Sequence, residues 1–143
     1  MNRKLTVLLT GILILASAAA AQAQSEREIN PERLIDLQPT LIGAEVFDAA
    51  GLVKLEVKNR IQIFAVTVTA RAEDGTLFIV KARRLDGREF DVGVVSMLMG
   101  VGTLVLQSGS DPSFVFPLQS LAGVTVHHST GMILTGEVPQ TTR

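Results

Sequence analysis

His127 and His128 are the only imidazoles in the 143-residue chain, and cysteine is absent. Those two facts bound the chemistry before any fold is considered. Without cysteine there is no thiolate nucleophile, no disulfide and no acylated N-terminal Cys. A serine hydrolase needs a Ser, a base and an orienting acid, and no G-x-S-x-G elbow supplies the first. Neighbouring residues on a strand point to opposite faces, so His127 and His128 cannot both ligate one metal from regular geometry. Asp86, Glu89 and Asp91 raise calcium, but their spacing matches no EF-hand loop. A turn plus a solvent-facing strand accounts for all three. Glu73 and Asp74 read as turn residues in the same way. The glycines form neither G-x-G-x-x-G nor a Walker loop, so no phosphate cradle is expected. The expectation is a chain that is not an enzyme and has no catalytic residue, metal ligand or cofactor.

Composition narrows the partners. The formal charge is −1, and Lys81, Arg83 and Arg84 are scattered along one strand rather than clustered. That is no electrostatic footprint for nucleic acid. Phe is the only aromatic residue, with neither Trp nor Tyr present. Sugar-stacking platforms and the aromatic girdles of outer-membrane barrels both lose support.

Residues 1–23 read as a signal peptide. Arg3 and Lys4 make a positive start, Leu5 to Leu15 an apolar core, and Ala21-Gln22-Ala23 a small-residue cleavage site. An uncleaved anchor is the rival, because the uncharged run continues to Ser25. Cleavage leaves 120 residues with a formal charge of −3, enough for one domain with a modest core. The expected location is periplasmic or secreted.

The elements follow in chain order. Residues 24–40 form a polar segment containing one short helical turn. Asn30 is placed to cap it and Pro31 to occupy its first position. A barrel domain spans 41–136, and 137–143 is a frayed tail. Its first hairpin runs from Ile42 to Val57 and turns at Asp48-Ala49-Ala50-Gly51, with Asp48 opening the turn and Gly51 closing it at positive φ. Past the turn, Val53, Leu55 and Val57 share one face, and Lys54, Glu56 and Lys58 the other. Ile61 to Arg71 is β-branched and suits a central strand covered on both faces. Asp74-Gly75 and Asp86-Gly87 are turns between strands. Between Arg88 and Val94, Phe90, Val92 and Val94 share one face.

Val92 to Ser110 carries no charge. A membrane span is the alternative reading, but four glycines interrupt the run. The preferred reading is a strand end, a bend at Met97-Leu98-Met99-Gly100, and a strand from Val101 to Gln107. An exposed Met97, Leu98 and Met99 makes a patch for partner contact. Phe114 to Phe116 reads as a short strand stopped by Pro117, Leu118 to Leu121 as a turn, Gly123 to His128 as a strand. Ser129-Thr130-Gly131 turns into Met132 to Thr135. The expected fold is all-β: a small barrel of about eight short antiparallel strands.

Leu41 to Gly51 resembles the opening of the PRC-barrel family, which begins (L/I)-(I/V)-G-x-x-V-x-D-x-x-G. Gly43, Val46, Asp48 and Gly51 stand at the patterned positions. Phe114 to Leu121, with its Pro117, is similar to the strand and turn near the end of such domains. Leu55 stands where the family usually repeats a glycine. The resemblance covers Leu41 to about Val126 and implies a small β-barrel. The functional expectation is a non-catalytic interaction module that binds an envelope protein or itself. A barrel holding a small apolar ligand is the alternative, separated from it by an interior cavity.

Overall fold

The computed structural model of the chain describes residues 32–112, 114 and 116–140. The expected leader and residues 24–31 lie outside the described residues. Alternation of apolar and polar residues organises the rest. In β3 (Ile61–Thr69), Phe64, Val66 and Val68 are fully buried while Ala65, Thr67 and Thr69 face outward. One face is covered rather than the two expected, which is the pattern of a barrel wall.

Eight antiparallel strands form one sheet. In chain order they are β1 (Glu32–Pro39), β2 (Ala50–Lys58), β3, β4 (Leu77–Arg84), β5 (Glu89–Ser96), β6 (Val101–Gln107), β7 (Leu121–His128) and β8 (Gly131–Glu137). Their order across the sheet is β5-β4-β7-β8-β1-β2-β3-β6. The two end strands, β5 and β6, are joined by a tight turn bridged at Leu98 and Val101. They close on each other through side chains. Gly93 lies against Leu104, and Gly102 against Val95 and Met97, so closely that an added Cβ has no room. The result is a nearly closed barrel. Among the described residues, no helix is long and apolar enough to cross a membrane, and the uncharged run from Val92 is strand, turn and strand.

The interior is packed. Val53, Phe64, Phe78, Val124, Ile133 and Leu134 have no accessible surface, so none of them lines a void large enough for water. Each such burial contributes roughly 1.5–3 kcal/mol. At the lower end, Phe116 fills the wall between Phe64 and Phe90, with ring centroids 5.6 and 5.1 Å away.

Several expectations need correction. The helical turn expected between Asn30 and Leu37 is instead strand β1, from Glu32. It pairs with β2 and, at Gln38 and Pro39, with β8. Ile35 and Leu37 point in while Leu34 and Asp36 point out. Two flanking strands outweigh a local capping signal. The barrel therefore begins before residue 41. The first arm of the expected hairpin is α1 (Leu41–Glu45), capped by Thr40, whose Oγ1 accepts from the Gly43 N–H at 3.1 Å. Gly51 is ordinary strand backbone. The positive φ belongs to Asp48, at 46°. Gly51 is small because Leu37 and Leu134 side chains occupy the space of its Cβ.

Phe114 and Phe116 lie in no strand, and Pro117 precedes a short 3-10 turn, Leu118–Ser120. Val94 faces out, away from Val92, because β5 carries one extra residue there. Val80 pairs with Gly93 but Lys81 with Asp91, a bulge that changes the phase of the strand. The segment after β8 is held rather than frayed as far as Gln140. Val138 is buried and its N–H donates to Ala122 O at 2.9 Å. Asp74-Gly75 and Asp86-Gly87 are turns as expected, with Gly75 and Gly87 at φ 88° and 89°. The Asp86 carboxylate accepts from the Arg88 N–H at 3.0 Å, which lowers its pKa.

Candidate partner-contact surface

The turn between β5 and β6 brings three nominated residues together and then separates them. Met97 is 1% exposed and belongs to the core, against the expectation that it forms part of the surface patch. Leu98 is 65% exposed and Met99 86%. The inward phase that buries Val95 also buries Met97, so Leu98 must face out.

The conformation of the tip is specific. Leu98 and Val101 exchange backbone hydrogen bonds of 2.9 and 3.1 Å around Met99 and Gly100. Both central residues have positive φ, 53° and 81°, the two-residue turn that usually selects Asn-Gly or Asp-Gly. Gly100 meets that demand. Met99 does not, because its Cβ is disfavoured in the left-handed region. A bulky apolar residue thus occupies a strained position and projects into solvent.

Neighbouring loops hold the tip in place. The Asp74 carboxylate Oδ1 accepts from the Met99 N–H at 2.7 Å. The Ala70 N–H donates to Gly100 O at 3.0 Å, and the Gly75 N–H to Met97 O at 2.8 Å. The Arg71 N–H donates to Phe47 O at 2.6 Å, tying this loop to the segment after α1. Asp74, expected only as a turn residue, is therefore also the anchor of the exposed tip. Nothing in its local sequence announces that role, since the partner lies 25 residues away.

At the same end of the barrel α1 closes the mouth. Thr40 N–H donates to Ile133 O at 3.0 Å and Thr40 Oγ1 to Met132 O at 2.6 Å. Gly43 sits flat on this bulged part of β8, where an added Cβ would meet the Ile133 carbonyl oxygen. Gly43 is a packing residue rather than a turn.

The histidines part as strand geometry requires. His128 packs edge-on against Phe47 and Phe78, with centroids 4.9 and 5.6 Å away. His127 lies on the outer face, opposite Ile79 and Met132, within 2.9 Å of Thr125 Oγ1. Burial pushes the His127 pKa below its ordinary value, and nearby Lys81 acts in the same direction. Two of the three acids weighed for calcium face cations: Asp86 pairs with Arg88 at 3.2 Å and Asp91 with Lys81 at 3.5 Å.

The outer walls of β3 and β6 add a feature that local reading of the sequence missed. Neither strand contains an ionisable side chain. A groove of about 200 Å³ lies beside them, lined by Ala50, Gly51, Leu52, Thr67 and Thr69. It is below the usual volume of small-molecule sites. Among the described residues, nine of the thirteen exposed large apolar side chains belong to the tip or to strands β2 to β6. No protein-family model matches the chain, and neither curated proteins nor solved structures yield a match.

Proposed function

We propose that this barrel is a non-catalytic interaction module that presents Leu98 and Met99 to a protein partner. The observation that carries the reading is Met99: strained in its backbone, pinned by Asp74 and exposed. Strained backbone concentrates where function demands it. Pre-ordering of the tip lowers the entropic cost of docking. The leader pattern supports a partner in the envelope or outside the cell, and the PRC-barrel resemblance is compatible with such a role. The packed interior supports the module over a carrier of small apolar ligands.

The test is Leu98→Asp. The exposed position tolerates the charge, so the far-UV circular dichroism spectrum and thermal midpoint should stay near wild type. Crosslinked capture of a partner from envelope extract should fall at least tenfold, because a buried carboxylate replaces roughly 1.5–3 kcal/mol of apolar contact. A folded variant that captures the partner as well as wild type would sink the idea.

A further inference from the structure

We infer that the partner docking on the Leu98–Met99 tip presents a basic protein surface with an apolar residue at its centre. The inference rests on the tip reading and adds the partner's chemistry to it. The loops at this end of the barrel are 40–49, 70–76, 97–100 and 129–130. They carry four exposed acids, Glu45, Asp48, Glu73 and Asp74, and a single cation, Arg71. Arg71 lies 3.9 Å from Asp48. Among the described residues no cation pairs with Glu45, Glu73 or Asp74. The loops at the opposite end, 59–60, 85–88 and 108–120, balance Arg60 and Arg88 against Asp86 and Asp111. Negative charge is therefore concentrated at the end where Leu98 and Met99 protrude. Hydrogen bonds set these acids beside the tip. Asp74 holds the Met99 N–H, and Glu73 shares its turn, the Glu73 carbonyl accepting from the Thr76 N–H at 3.1 Å. Asp48 follows Phe47, whose carbonyl accepts from the Arg71 N–H one residue beyond the Ala70 contact with Gly100. An apolar centre with a charged rim is the anatomy of a protein interface.

Charge decides among the occupants. Nucleic acid and anionic lipid would each bring negative charge to a surface that is already negative. A second copy docked tip to tip would set four acids against four, because a twofold contact brings like residues together. A bound metal ion needs converging ligands, and among the described residues no three acids or histidines are grouped to hold one. A protein surface that supplies cations around an apolar contact satisfies both parts of the tip. Complementary charge of this kind speeds encounter and suppresses wrong partners. The exposed carboxylates then steer the partner, and Leu98 and Met99 take the contact that water leaves.

The probe is a capped, dye-labelled peptide, Lys-Lys-Leu-Leu-Lys-Lys, titrated with the protein purified from its own host and read by fluorescence anisotropy. It should bind at least tenfold more tightly than Glu-Glu-Leu-Leu-Glu-Glu or Lys-Lys-Ser-Ser-Lys-Lys. Its affinity should fall severalfold between about 50 and 200 mM salt, as surface charges are screened. Glu73→Lys should weaken binding at least fivefold and flatten the salt dependence. Asp36→Lys makes the same change in net charge on the exposed outer face of β1 and should alter neither. Circular dichroism checks each fold, and Glu45→Lys on α1 decides if Glu73→Lys misfolds. A basic peptide that binds no better than the acidic one overturns the inference. So does Glu73→Lys binding as tightly as wild type, or Asp36→Lys losing as much as Glu73→Lys. If Leu98→Asp still abolishes partner capture in those cases, the tip reading stands and only the partner's charge is wrong. The tip reading fails differently: Leu98→Ser would then bind the basic peptide as tightly as wild type while Glu73→Lys does not, which removes the apolar anchor from both.

Discussion

Replacing Met99 by Asn should make the protein more stable and a poorer binder. The left-handed region costs an ordinary L-residue about 1–2 kcal/mol, and Asn is among the few side chains that reduce the cost. The loss on the other side is small. Met99 is 86% exposed, so about one-seventh of the ~2 kcal/mol from full burial, or ~0.3 kcal/mol, is forfeited. The Asp74 bond survives because its donor is the backbone N–H. The net gain is about 0.5–1 kcal/mol. For a domain of this size that raises the thermal midpoint by about 2–4 °C. Thermal unfolding followed by circular dichroism reads the first effect, and partner capture reads the second. A lower midpoint in Met99→Asn would refute the reasoning, since it would mean that the Met99 side chain supports the fold rather than straining it. Met99→Gly serves as the companion, because glycine removes the left-handed cost outright.

Two further outcomes follow from the packing. Gly43→Ala sets a Cβ against the Ile133 carbonyl oxygen, a backbone atom that cannot swing away. It should cost about 3–5 kcal/mol, combining overpacking with the loss of the Thr40 bonds that dock α1. A shift below about 1 kcal/mol in urea unfolding would show that α1 lifts off freely. His127 makes stability depend on pH. Its folded pKa lies below the ordinary 6.5, so the fold favours the neutral ring. Its contribution is fully present above pH 6.5 and is lost as pH falls from there through the folded pKa. The urea midpoint should therefore drop between pH 7.5 and 5.5, and His127→Gln should flatten that drop. Equal slopes in both proteins would assign the effect to other groups.

What the sequence made legible was local. The alternation in β2, the Asp-Gly turns and the strand from Val101 each rest on residues within one turn or one strand. The errors fall where a distant partner decides. Residues 30–37 carry a good helix-start signal, yet β1 forms because β2 and β8 are there to pair with it. Thr40 after Pro39 is a capping cue for α1 that the glycine-turn pattern obscured. Glycines 43 and 51 looked like turn residues. Their reason is a carbonyl and two leucines, all remote in sequence. A bend at 97–99 groups Met97 with its neighbours in sequence, whereas strand phase separates it from Leu98.

That phase depends on the bulge at Val92, and the bulge bears on the function. Without the extra residue, β5 would keep Phe90, Val92, Val94, Ser96 and Leu98 on its inner face and bury a serine. With it, Val95 and Met97 enter the core, and Ser96 returns to the surface. Core packing thereby accounts for Val95 and Met97 but not for Val94, Leu98 or Met99, which the same shift leaves in solvent. Outward positions on a half-buried strand are ordinarily free to be polar. The lower half of β5 uses that freedom with Glu89 and Asp91, whereas above them Ser96 is the one polar side chain among Val94, Leu98 and Met99. The apolar character at this end of the barrel is therefore not a by-product of filling its core. It is the residue pattern expected of a surface that another protein covers.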